Sequence, residues 1–125
     1  RGILQMSNQH TNIRVIKEYE LARQKELKLR VNRHPAMRTK YIAINIKHLK
    51  VYVEKYQIPK SAFMKFTKLS QKTTDKLLEV DLDMLYVNKS TAKKLVDSFY
   101  NNIEEEFKID IKQLIPDEWE DFTDE

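Results

Sequence analysis

A mainly α fold, a bundle of about five helices with room for small β-hairpin wings, is what this sequence predicts. Three observations predict it. Hydrophobic residues make up 41% of the 125 residues, enough for one folded domain with a core of its own and no need of metals or disulfides. Apolar residues recur at three- and four-residue spacing in successive stretches, while strict alternation is confined to two short ones. The chain also has only one glycine, Gly2, and no cysteine. That excludes a Gly-rich phosphate loop, a dinucleotide fingerprint, disulfides, thiolate metal sites and a cysteine nucleophile.

Residues 1–5 precede Met6 and read as a non-native extension with Met6 as the natural start, and residues 7–11 are polar, so 1–11 is expected to be a flexible tail or such an extension. From Asn12 to about Val31 runs one basic helical pattern. Its apolar points are Ile13, Ile16, Leu21, Leu27 and Val31, a thin stripe that suits a helix lying on something else. Pro35 and the residue before it, His34, break the pattern. Lys40 to Ile46 alternates, with Ile42, Ile44 and Ile46 on one strand face and Tyr41, Ala43 and Asn45 on the other. Ile46, Leu49, Val53 and Tyr56 then step like a helix that ends near Gln57.

Pro59 opens a short helix over 59–67, since the first turn of a helix tolerates a residue without an amide hydrogen. Ser70 is a good N-cap for the next helix, 70–78, because its hydroxyl can accept an orphan amide hydrogen. That helix should turn Thr74, Leu77 and Leu78 inward, and Gln71, Lys72, Asp75 and Lys76 outward. Val80 to Val87 alternates weakly and predicts a short strand. Ser90 is expected to cap a helix whose inward face is Ala92, Leu95, Val96, Phe99 and Ile103. Asp110 is expected to cap a last turn through Leu114, stopped by Pro116. The division is then a tail (1–11), a basic helix plus strand or arm (12–45), a helix-turn-helix core (46–116) and an acidic tail (117–125).

Charge is the first functional signal. The net charge is only +4, but residues 1–78 hold 18 basic and 5 acidic residues, a net +13. Residues 79–125 hold 5 basic and 14 acidic, a net −9. A basic half is the footprint of a nucleic-acid binder, because each cation beside a phosphate releases a counterion. Two solvated faces that neutralise each other in the fold would leave the same pattern.

The stretch Ile58 to Leu78 is two short helices joined by a tight junction at Lys68-Leu69-Ser70, a helix-turn-helix layout. In that layout the first helix braces across the DNA backbone and the second enters the major groove. Lys60 and Ser61, at the start of the brace, suit a phosphate. Gln71, Lys72 and Lys76 can reach base edges, and Ser70 and Thr73 complete the candidate set. Arg33, Arg38 and Lys40, with Arg30, form a basic arm beside the first strand that could reach a minor groove or flanking phosphates. A surface hairpin with scattered charge would look the same.

On these residues the chain resembles the phage-repressor-like helix-turn-helix family, from about Ile46 to Leu114. Phe63-Met64 stands where that family often has Leu-Ala, and Leu69-Ser70 matches its aliphatic-Ser pair before the recognition helix. The resemblance implies double-stranded DNA as partner, Lys60 on a phosphate, and Gln71, Lys72 and Lys76 on bases. Lys68 replaces the usual turn glycine, and Thr74 replaces an aliphatic core residue. A second resemblance is to excisionase-type winged helices in tandem, as in accessory proteins of mobile elements and conjugation. It rests on residues 44–56 and 87–99, which align at an offset of 43: Ile44-Asn45 with Val87-Asn88, Leu49-Lys50 with Ala92-Lys93, Val53-Glu54 with Val96-Asp97, Tyr56 with Phe99.

Nothing in the sequence points to an enzyme. The carboxylate groups Asp81/Asp83 and Glu104–Glu106 lie where surface charge is expected, and no shielded pocket is legible to split their pKa values. His10, His34 and His48 lack metal-ligand spacing. No cofactor or metal is expected. No run of about 18 apolar residues could span a membrane, and the expected location is the cytoplasm. The expected function is sequence-specific double-stranded DNA binding, as a regulator or accessory factor of a bacterial phage, plasmid or transposon. A homodimer or a DNA-processing complex is the expected assembly. A protein-interaction module, an inhibitor or antitoxin on the same scaffold, is the alternative from a different class.

Overall fold

The computed structural model describes the backbone of residues 2–117 and 119–123, and side chains from Glu18 onward except Pro35, Arg38 and Glu118. Expectations for the side chains of Ile13, Ile16 and Arg38, and for Glu118, Asp124 and Glu125, lie outside the described residues.

The fold is mainly helical, with a two-stranded antiparallel sheet. Helix α1 spans Gly2–Arg33. A 3₁₀ turn at Pro35–Thr39 leads into β1 (Tyr41–Asn45), α2 (Ile46–Lys55), α3 (Lys60–Thr67) and α4 (Gln71–Glu79). Then come β2 (Met84–Asn88), α5 (Lys89–Val96), a π-helical turn at Asp97–Asn101 and α6 (Ile111–Leu114). A 3₁₀ turn at Trp119–Phe122 ends the described chain.

Helix formation starts earlier than the apolar pattern indicates: residues 2–11, expected to be a tail, belong to α1. β2 begins at Met84 rather than near Val80. The next helix starts at Lys89, with Asn88 rather than Ser90 in the cap position. Asp110 caps α6 as expected, its carboxylate accepting from the Gln113 amide at 3.4 Å.

Alternation in β1 decides which face meets the core. Ile42 and Ile44 are buried, while Tyr41, Ala43 and Asn45 are half-exposed. With Ile46, Leu49, Tyr52, Phe63, Leu77, Leu85, Leu95, Phe99 and Leu114 they form one core. Phe99 sits at its aromatic centre, with ring centroids 5.3 Å from Tyr52, 5.5 Å from Phe63 and 5.6 Å from Phe66. Phe122 and Trp119 fold back onto this core, so the acidic C-terminal segment is anchored by its two aromatic residues.

The offset of 43 seen in the sequence is present in three dimensions. β1 begins at 41 and β2 at 84; α2 begins at 46 and α5 at 89. The strands pair with each other, Tyr41 with Asn88 at one end and Asn45 with Met84 at the other, so the pairing is centred on Ala43↔Tyr86. A rotation about that centre exchanges the two strands. The ribbon therefore carries a local pseudo-two-fold axis.

α1 lies against this assembly with Glu20, Gln24, Leu27 and Val31 inward. These positions step by 4, 3 and 4, one helix face. Leu27 and Val31 belong to the expected apolar stripe, and Leu21 packs half-buried on the core; Glu20 and Gln24 are the polar residues that hydrophobicity alone does not identify on this face.

Candidate nucleic-acid interface

The α3–α4 pair is built from local rules. Pro59, with φ −69°, stands immediately before α3, where its missing amide hydrogen costs nothing. Phe63 is fully buried and fixes the helix on the core. Thr67 closes it: its hydroxyl donates to the Phe63 carbonyl (2.8 Å) and accepts from the Leu69 amide (3.3 Å). Lys68 turns left-handed at φ 62°, and its amide donates to the Met64 carbonyl at 2.8 Å. A glycine would take this conformation without a side-chain penalty; here a lysine takes it, and its exposed ammonium gains a place at the turn. Ser70 then caps α4 as expected, its hydroxyl accepting from the Thr73 amide at 3.2 Å. Thr74 and Leu77 are buried and tie α4 to the core.

Beyond the turn, the expected contact residues divide into two groups. Ser61, Lys68, Ser70, Gln71 and Lys72 are exposed. Lys68, Ser70, Gln71 and Lys72 follow one another across the turn into the N-terminal end of α4, where the helix dipole favours an anion, while Ser61 stands at the start of α3. Lys60 is not free at the start of α3: it pairs with Asp75 of α4 and braces the two helices together.

Lys76 departs from the outward face expected for it. Its ammonium lies 3.8 Å from the Glu20 carboxylate of α1, and its side chain is 22% exposed. Burial holds it below the usual lysine range; Glu20 offsets this in part, while Arg23 and Lys72 push the same way as burial. Thr73 is half-buried on the same side. The physical reason is that α1 lies over the side of α4 that carries Lys76.

Glu20 is the residue that sequence reasoning missed. Its side chain is only 2% exposed, held by the Gln24 amide at 3.0 Å and Arg23 at 3.5 Å as well as Lys76. Gln24 was missed too. Its side-chain amide behaves like a short third strand, accepting from the Tyr86 amide (2.7 Å) and donating to the Tyr86 carbonyl (3.1 Å). The signal was present as the spacing 20, 24, 27, 31, but a hydrophobic period cannot register glutamate and glutamine.

In the basic arm, Arg33 and Lys40 are exposed. Arg30 is bound to Glu26 at 2.6 Å. The described residues hold no group of three His, Cys, Asp or Glu that could bind a metal. Among them, too, no helix is long and apolar enough to cross a membrane.

Comparison with protein-family models, with curated proteins and with solved structures finds no match. The chemistry of the surface therefore has to carry the functional argument.

Proposed function

We propose that this chain is a double-stranded DNA-binding protein acting by binding alone, with no cofactor and no catalytic step. One observation carries the reading: the α3–α4 pair, with its capped tight turn, leaves Lys68, Gln71 and Lys72 exposed at the N-terminal end of α4. That end of a second helix is what reaches base edges in a helix-turn-helix complex. Glutamine can bond adenine through two atoms, and lysine can bond guanine or phosphate. The net +13 of residues 1–78 supplies sequence-independent attraction. The resemblance to phage-repressor-like proteins supports a regulator or accessory factor of a bacterial mobile element.

A salt series of binding to duplex DNA tests this. Affinity should fall log-linearly with salt, with a slope of roughly −0.9 per phosphate engaged. Lys72→Ala should reduce that slope by about one. Gln71→Ala should cost about 1–3 kcal/mol on a selected sequence and far less on random duplex. Absence of binding at low salt overturns the reading.

The 43-residue repeat favours a second reading, tandem units that engage related half-sites, as in excisionase-type accessory proteins of conjugation or excision. Sequence selection separates the two. A single helix-turn-helix yields one compact site; tandem units yield two related half-sites at fixed spacing.

A further inference from the structure

We infer that the face of α4 beneath α1, the row Lys72, Thr73 and Lys76, is a binding surface for the duplex DNA backbone, and that the Glu20 carboxylate occupies it in place of a phosphate. This deepens the DNA reading above and rests on it. α1 is then a cover that DNA must displace.

Four observations support the inference. First, Lys72, Thr73 and Lys76 lie along one side of α4, yet only Lys72 is exposed. Second, what covers the other two is an anion. Glu20 reaches Lys76 with a carboxylate that is almost wholly removed from water and held by Gln24 and Arg23. A buried carboxylate is costly unless cations and donors surround it, and the groups that surround this one are those a phosphate oxygen would use. Third, Glu20 does not fill the space. A cavity of about 60 Å³ remains there, lined by Glu20, Arg23, Thr73, Lys76, Tyr86 and Asn88 among others. Thr73 and Asn88 thus already border the space beside the carboxylate.

The fourth observation is how α1 is fastened. Among the described residues of α1, Glu20 and Gln24 are held by hydrogen bonds and ion pairs, Leu27 and Val31 are buried apolar residues, and Leu21 packs half-buried against the core. Polar fastenings exchange for water or for another polyanion at small net cost. A seam made of apolar side chains has no such exchange partner. Lifting the helix removes one carboxylate from beside Lys76. It also exposes the Tyr86 amide and carbonyl on the edge of β2.

The test uses the full chain and a random-sequence duplex at low salt. Glu20→Gln removes the competing charge, and Gln24→Ala removes the grip on β2. If the cover is in place about nine-tenths of the time, full release raises affinity about tenfold. Each variant should therefore bind more tightly than the parent, by up to that factor. The opposite arm exploits the absence of native cysteine. Gln24→Cys/Tyr86→Cys should bind more tightly than the parent when untreated. Joined by a short thiol-reactive linker, the same chain should bind at least tenfold more weakly than its untreated form. Circular dichroism on each chain establishes that it is folded.

Equal affinity of parent, variants and linked chain overturns the cover while leaving DNA binding intact. Weaker binding by folded Glu20→Gln and Gln24→Ala also overturns it, since it shows that α1 supports the surface. Failure of every chain to bind removes the DNA reading and the cover with it.

Discussion

The two strand–helix copies begin alike and end differently. In the first, Ile42 and Ile44 of β1 and Leu49 and Tyr52 of α2 are buried. In the second, Leu85 of β2 and Ala92 and Leu95 of α5 are buried, at the corresponding positions 42+43, 49+43 and 52+43. Local rules repeated in the chain make repeated structure, and the antiparallel pairing about Ala43↔Tyr86 joins the copies. The segments that leave the two copies are unlike. After α2, Gln57 takes φ 50°, Pro59 starts α3, and residues 57–79 carry five lysines against two acids. After α5, the chain unwinds through a π turn into Glu104–Glu106 and only four residues of α6. The repeated part is scaffold. The unrepeated, cationic part is where a binding function has room to reside.

The largest effect that separates the copies lies at the corresponding aromatic positions 56 and 99. Phe99 is enclosed by Tyr52, Phe63 and Phe66. Phe99→Ala should cost about 3–5 kcal/mol, a lost transfer term plus an unfilled cavity. Tyr56 is half-buried, ring to ring with Tyr52 at 4.9 Å and Phe107 at 5.7 Å. Tyr56→Ala should cost about 1–2 kcal/mol, because part of its ring already meets water. Urea unfolding of the two variants measures the difference. Similar costs would mean that the copies share the core equally.

The next effect is alkaline sensitivity, present in one copy only. Tyr52 corresponds to Leu95, which has nothing to titrate. The Tyr52 hydroxyl donates to the Phe107 carbonyl at 2.6 Å. Burial, and secondarily Tyr56, push its pKa up from 10.0 to about 12. The folded value lies above the unfolded one, so the fold favours the protonated phenol. Its contribution is fully present below pH 10 and is lost as pH rises from 10 to about 12, up to about 2–3 kcal/mol. Stability measured across that window should fall more steeply in the parent than in Tyr52→Phe. Parallel curves would show that the phenol titrates normally.

The comparison also shows which parts of the fold were legible. Elements with a cap or a breaker at their start were read well: Pro59 before α3, Ser70 before α4 and Asp110 before α6 are each signalled by one residue acting on its own neighbours. The inward residues of α5 followed from apolar spacing, as did Ile46 and Leu49 of α2, whereas Tyr52 is buried outside the expected stripe and Val53 and Tyr56 are half-buried. The placement of α1 followed in part, at Leu21, Leu27 and Val31; Glu20 and Gln24 did not, because they are polar and their partners, Lys76 and Tyr86, lie more than fifty residues away. That long-range ion pair turned Lys76 inward. For the same reason the candidate site was half legible. Gln71 and Lys72 obey the local helix geometry, while Thr73 and Lys76 obey a tertiary contact that no window of sequence contains.

The smallest expected effect separates the copies at their helix caps. Asn45 and Asn88 stand at equivalent positions before α2 and α5. The Asn45 side chain accepts from the His48 amide at 3.0 Å, whereas Asn88 makes no side-chain cap bond. Asn45→Ala should therefore cost about 1 kcal/mol, the ordinary value of an N-cap, and Asn88→Ala only a few tenths. Urea midpoints at unchanged slope would resolve the two. If both cost about 1 kcal/mol, Asn88 caps α5 in solution, and the two copies are closer to true symmetry than their side chains show. If neither costs anything, pairing of the strands rather than capping starts both helices. The hydrogen bonds from the Lys47 amide to the Asp83 carbonyl (3.3 Å) and from the Lys89 amide to the Lys40 carbonyl (3.0 Å) would then be the anchors, with equivalent acceptors and donors one position out of register.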